Sequence, residues 1–240
     1  METNKEKMKK AAFPVLLVLT GLVTSMFFVY LFAEIAEEML EQELKTFDDA
    51  VIGFFRAIES STLNQAMIFI TELGSVWFLA TLSIITILTL WIKVKDKWGI
   101  LFFIIGIGGG GLLTRLLKYY YGRGRPSINP EIDAIGYSFP SGHSLGSLIF
   151  YGFITYFIIR SELKKSIKWV AACLAGLLVV LIGMSRIYLG AHFPSDVIAG
   201  HLAGAIWMIL SILALEWVQW QTANSIRPLK TIREFFQHKF

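Results

Sequence analysis

The chain has 240 residues, 55% of them hydrophobic and only 17% charged, and its 22 Lys and Arg against 18 Asp and Glu leave a formal net charge of +4. A soluble domain of this size carries about 25% charged residues, so this composition excludes an ordinary water-soluble fold and makes a bilayer the expected solvent. With 19 Phe and 7 Trp, a heavily buried soluble core is the one rival, and the hydropathy of the individual segments decides against it.

A spanning helix needs about 20 mostly apolar residues, because the hydrocarbon core is about 30 Å thick and each residue rises about 1.5 Å. In chain order the qualifying stretches are Phe13–Ala33, Leu73–Ile92, Trp98–Leu117, Ser144–Ile159, Trp169–Ser185 and Val197–Trp217. The fourth and fifth are short, but their flanks carry few full charges and can extend them. The expectation is an all-α, polytopic membrane protein: six transmembrane helices in a bundle, forming a single domain over residues 1–240. The first stretch reads as a span and not as a cleaved signal, since its apolar run is too long for an h-region and no small-residue cleavage site follows.

Between the first two spans, Phe47, Val51, Phe54, Phe55 and Ile58 recur at helical spacing, with Asp48, Asp49 and Arg56 mostly elsewhere on the wheel. An amphipathic helix over 47–58 lying on the membrane face is expected, either capping the bundle or gating lipid. In the third span, Gly106 to Gly111 lacks the Lys-Ser or Lys-Thr of a phosphate loop, and Gly106 and Gly110 form the small-xxx-small pattern of close helix packing. Cys173 is the single cysteine, so no disulfide within the chain is possible.

Short cytoplasmic loops accumulate Lys and Arg. Lys5, Lys7, Lys9 and Lys10, then Lys93, Lys95 and Lys97, then Arg160, Lys164, Lys165 and Lys168, then Arg227, Lys230, Arg233 and Lys239 all fall on one side when six helices alternate, opposite the acidic segment Glu34 to Glu59. Both termini are therefore expected in the cytoplasm. Against that pattern, Lys118, Arg123, Arg125 and Arg186 fall on the outer side, with Arg115 one turn before Lys118. Any one of them alone would read as a snorkelling side chain. Together they are costly at an interface unless they face an anion.

Their neighbours point to which anion. Pro140-Ser141-Gly142-His143 opens the fourth span with Ser141 as a plausible N-cap, leaving helix N–H groups free for phosphate oxygens. His192 and Asp196 lie four residues apart around Pro194, where a helical turn brings both to one face and lets the carboxylate fix the imidazole tautomer.

Lys118, six residues, Arg125-Pro126, then Pro140-Ser141-Gly142-His143, then Ser185-Arg186, five residues, His192, three residues and Asp196 resemble, position by position, the three-part signature of the type 2 phosphatidic acid phosphatase family. The resemblance implies a membrane lipid phosphatase in which His192 is the nucleophile, Asp196 its orienter and His143 the acid for the leaving oxygen. It implies that Lys118, Arg125, Ser141, Gly142 and Arg186 bind the phosphate, and it assigns nothing to Arg123. No cofactor or metal is expected: His143, His192 and Asp196 could serve as three ligands, but the surrounding cations oppose a divalent ion and supply its electrostatic work.

The expected partner is a phosphorylated lipid, first phosphatidylglycerophosphate, with undecaprenyl diphosphate and phosphatidic acid as alternatives, and neither a nucleic acid nor an obligate protein partner is expected. The site would lie on the extracytoplasmic face of the cell membrane. A transporter is the non-enzymatic alternative, but midplane charges and inverted repeats are not visible. Vanadate-dependent haloperoxidases are similar in signature but are soluble. His201 is expected to pack or hydrogen-bond within the sixth span, about 140° around the helix from Asp196, and His238 carries no signal.

Overall fold

In a computed structural model, the structure describes residues 4–126 and 136–223, with side chains described for 16–126 and 136–222. The expectations resting on the basic tail (Arg227, Lys230, Arg233, His238 and Lys239) and on the side chains of Lys5 to Lys10 lie outside these residues. The described chain is all helical: α1 (Asn4–Leu40), α2 (Lys45–Ala57), α3 (Ser61–Glu72), α4 (Val76–Thr89), α5 (Lys97–Tyr121), α6 (Gly142–Arg160), α7 (Lys165–Tyr188) and α8 (Pro194–Ala223). A π-helical turn, Leu90–Val94, continues α4. Six helices are long and apolar enough to cross a membrane: Leu16–Leu40, Val76–Val94, Lys97–Tyr121, Gly142–Arg160, Lys165–Tyr188 and Pro194–Thr222.

The starts of these helices are chemically marked. Ser60, Ser75, Asp96 and Ser141 each accept a hydrogen bond from a backbone N–H three residues on, satisfying one of the donors a helix N-terminus leaves unpaired. At the other end of α5, Gly122 takes φ 60° and closes the helix onto the Lys118 carbonyl, turning the chain toward the two arginines that follow.

α6 and α8 form the centre, with α7 and α5 against α6 and α1 against α8. Their close approach comes from α8 glycines: a Cβ at Gly200 would lie 2.6 Å from the Ser141 carbonyl oxygen, and one at Gly204 would lie 2.9 Å from that of Leu145. Below this contact Phe103, Phe150 and Phe153 pack edge to face with Leu145, Ile149 and Ala203. The α5 glycines do the packing work expected of them, with Gly106 against Phe153 and Gly110 against Ile149.

Two features differ from the sequence reading. α1 continues past Ala33 to Leu40 because Ala36 and Met39 bury against Phe139 and Ala199 while Glu34 and Glu37 stay exposed. The segment between the first two spans holds two helices, α2 and α3, and α2 packs by only part of its apolar face, with Val51 and Phe55 against the cluster of Ile187, Val197 and Tyr188. Phe47, Phe54 and Ile58 are exposed, whereas Asp48 is 1% exposed beside buried Phe55. A charged partner inside, described below, offsets the cost of that burial.

Candidate active site

Six short pieces of chain meet at the end of the bundle that carries α2 and α3. α5 ends in Lys118, the following coil supplies Arg123 and Arg125, α6 opens with Ser141, Gly142 and His143, α7 ends with Arg186, the next turn carries His192, and the first turn of α8 carries Asp196. Backbone hydrogen bonds fix their spacing. The N–H groups of Ala191 and His192 both donate to the Arg186 carbonyl, at 3.0 and 3.2 Å, so the chain folds back over the end of α7 and returns His192 beside Arg186. The Ser141 N–H donates to the Asp196 carbonyl at 2.9 Å, tying the α6 N-terminus to the α8 N-terminus.

His192 is 2% exposed and Asp196 0%. Nδ1 of His192 lies 3.4 Å from Oδ2 of Asp196, which also accepts the Phe193 N–H at 2.9 Å. On the other edge of the ring, Nε2 lies 3.3 Å from Nη1 of Arg125. Because the carboxylate only accepts, the proton is assigned to Nδ1, leaving the Nε2 lone pair facing the cations. Burial pushes the imidazole down to about 4, with Arg186 and Lys118 adding to the shift and Asp196 opposing it, so the ring is neutral at neutral pH.

The cations are held by backbone oxygens and one hydroxyl. Lys118 Nζ donates to the Tyr137 carbonyl, Arg125 donates to the carbonyls of Gly136 at 2.9 Å and Ala191 at 2.7 Å, and buried Arg186 donates to Thr71 Oγ1 at 2.8 Å. Among the described residues, Nε of Arg186 is buried without a hydrogen-bond partner. Leaving a guanidinium N–H unpaired in a buried site is costly, and an anion beside it would supply the acceptor. Lys118, Arg125, Gly142, His143, Arg186 and His192 line one cavity of about 400 Å³, which runs on between α4, α5 and α6 past Leu79, Ile107, Gly110 and Ile149. Its polar end suits a phosphate and its apolar end suits a hydrocarbon chain.

The sequence-derived residues therefore converge, with Ser141 as the fully buried α6 N-cap behind Gly142 and outside the cavity's lining. Arg115 is exposed and is absent from the lining of this cavity. Three residues that sequence reasoning passed over belong to the site's framework. Thr71 holds Arg186, and no sequence pattern announces a lone Thr in a short helix. Arg123, left unassigned, donates to Asp196 Oδ1 at 2.6 Å, to Asp48 Oδ2 at 2.7 Å and to Ser195 Oγ at 2.8 Å, and its guanidinium lies 4.0 Å from the centre of the Phe193 ring. Asp48 is the third. Among the described residues, no group of three or more His, Cys, Asp or Glu side chains comes together to hold a metal ion.

The sequence pattern of the PAP2 superfamily matches residues 97–220, which contain every residue of the constellation from Lys118 to Asp196. The chain belongs to this family, and it is a multi-pass membrane lipid phosphatase, a hydrolase of phosphoric esters. It is 35% identical to phosphatidylglycerophosphatase B of Bacillus subtilis over 165 residues, 68% of this chain and 80% of that protein. Undecaprenyl-diphosphatase of Sulfolobus acidocaldarius is 34% identical over 74% of this chain and 78% of its own length. Among solved structures, a transmembrane PAP2 type phosphatidylglycerolphosphate phosphatase from Bacillus subtilis superposes with a TM-score of 0.74 at 28% identity, covering 85% of this chain and 98% of that one.

Proposed function

We propose that the chain removes the terminal phosphate of phosphatidylglycerophosphate in two displacement steps through a phosphohistidine on His192. The observation that carries this reading is the setting of His192: one ring nitrogen against buried Asp196, the other turned to a cavity end lined by Lys118, Arg125 and Arg186. In the first step the Nε2 lone pair bonds to phosphorus as the P–O bond to the lipid breaks, and His143 gives its proton to the departing oxygen. In the second, water donates a proton to His143 and its oxygen bonds to phosphorus, breaking the P–N bond and freeing inorganic phosphate. The three cations and the Gly142 N–H stabilise the charge on the equatorial phosphate oxygens, the Ser141 N–H being taken up by the Asp196 carbonyl. The chain's own cations thus do the charge work of a divalent ion.

Phosphatidylglycerophosphate comes first because a relative and a solved structure of that activity cover most of the chain. Undecaprenyl diphosphate is the second reading, supported by the archaeal relative. The basic segments Lys93 to Lys97 and Arg160 to Lys168 lie at the end of the bundle away from the site, which supports a site on the extracytoplasmic face and termini in the cytoplasm. Phosphate release by purified protein from phosphatidylglycerophosphate, phosphatidic acid and undecaprenyl diphosphate, each with and without EDTA, tests the proposal. The highest kcat/KM is expected on the first, unchanged by chelation. A preference for the diphosphate would move the assignment to the second reading, and a loss reversed by magnesium would end the metal-free mechanism.

A further inference from the structure

We propose that Asp48, on the surface helix α2 and outside the signature, is a positioning residue for the reaction: through Arg123 and Ser195 it holds Asp196, and through Asp196 it sets His192. This rests on the reading of His192 as the nucleophile given above.

Asp48 is fully buried and fully paired. Its Oδ1 accepts the Ser195 N–H at 2.9 Å, and its Oδ2 accepts the Ser195 hydroxyl at 2.7 Å and Arg123 Nη2 at 2.7 Å. Ser195 is the second residue of α8, so a carboxylate from another helix takes up a free N–H at the N-terminus of the helix that carries Asp196. Arg123 then spans the two acids, with one terminal nitrogen on Asp48 and the other on Asp196 Oδ1. That leaves Asp196 Oδ2 for the His192 ring and the Phe193 N–H, and the carboxylate has no freedom to rotate away from the imidazole.

Charge gives the arrangement a second role. When Nε2 bonds to phosphorus while Nδ1 keeps its proton, the imidazole becomes a cation that Asp196 must stabilise. Asp196 paired with Arg123 alone is a neutral unit with little left to offer. Asp48 neutralises Arg123 and returns a net negative charge beside the ring, at a buried site where such differences weigh heavily. A plain staple fastening α2 to α8 would use the same contacts, but it would act on stability and not on the charged step.

Turnover on a phosphatidyl substrate separates the two. Asp48→Asn keeps the shape and removes the charge. It is expected to lower kcat by about 10- to 100-fold with KM unchanged, the size typical of losing a partner that orients a functional histidine. In an Asp196→Asn background the same change should have no further effect, since its route runs through Asp196. Arg123→Lys should retain more turnover than Arg123→Gln. Should Asp48→Asn not fold in detergent, Ser195→Ala carries the same expectation at smaller size. An equal fall of kcat in both backgrounds, or a lowered melting temperature with kcat intact, would overturn the proposal. Activity surviving in His192→Ala would instead remove the nucleophile assignment on which it rests.

Discussion

Nη1 of Arg125 lies 3.3 Å from Nε2 of His192 and donates at 2.7 Å to the carbonyl of Ala191, the residue before it. One guanidinium is thus held against both the proposed attacking nitrogen and the backbone that carries it, where a phosphate would have to seat between them. A planar fork that donates to the carbonyls of Gly136, Ala191 and Tyr137 while lying against the ring nitrogen cannot be copied by an ammonium. Arg125→Lys is therefore expected to lose about 10²- to 10³-fold in kcat/KM, close to the loss in Arg125→Ala, as for a missing oxyanion donor. Near-normal kinetics in Arg125→Lys would reduce this residue to a point charge.

His143 lines the same cavity from the first turn of α6. As the proposed proton donor it should matter in proportion to how poorly the leaving group departs. His143→Ala is expected to be severe on a lipid alkoxide and milder on p-nitrophenyl phosphate, the difference falling within the about 10²- to 10⁴-fold that general acids supply. Equal losses on both substrates, in folded protein, would make His143 a phosphate ligand.

The buried His192 ring titrates at about 4, below the ordinary value of about 6.5. The sign follows from burial and from Arg186 and Lys118, all of which penalise the protonated form. Lys118→Met should therefore raise the titration point, read by NMR of histidine-labelled protein in detergent. The same shift makes the unfolded chain bind a proton that the folded site refuses, so a stability cost is absent above about pH 6.5 and grows as pH falls toward 4. A ring titrating above 6.5 would contradict the buried neutral imidazole.

How much of this was legible beforehand differs by element. The six spans follow from hydropathy alone because each must cross the same thickness of hydrocarbon, and the largest shift of an end is in α1, where Ala36 and Met39 carry the helix past Ala33 to Leu40. The convergence of Lys118, Arg125, His143, Arg186, His192 and Asp196 was readable because all six sit at one end of successive spans. Thr71 and Asp48 were not. Their roles depend on how two short helices outside the membrane dock, and neither hydropathy nor a local motif encodes that docking. The α2 pattern is followed only in part, since Val51 and Phe55 pack inward while Phe47 and Phe54 stay exposed and Asp48 turns in to Arg123.

Orientation is open to direct test. With Cys173 replaced by Ser, a cysteine at exposed Glu59 should react with an impermeant maleimide in intact cells, and one at exposed Ser166, at the opposite end of the bundle, should not. The reverse pattern would put the site in the cytoplasm.

The central claim is that His192 takes the phosphoryl group from a lipid. Rapid quenching of purified protein with a substrate labelled in the terminal phosphate measures it. An acid-labile, base-stable phosphoadduct should be trapped on the wild type, map to the peptide holding His192, and be absent from His192→Ala, which should also lack turnover on every substrate. A His192→Ala protein that still turns over, or a wild type whose label appears only as inorganic phosphate even when a good leaving group makes the second step limiting, would contradict it.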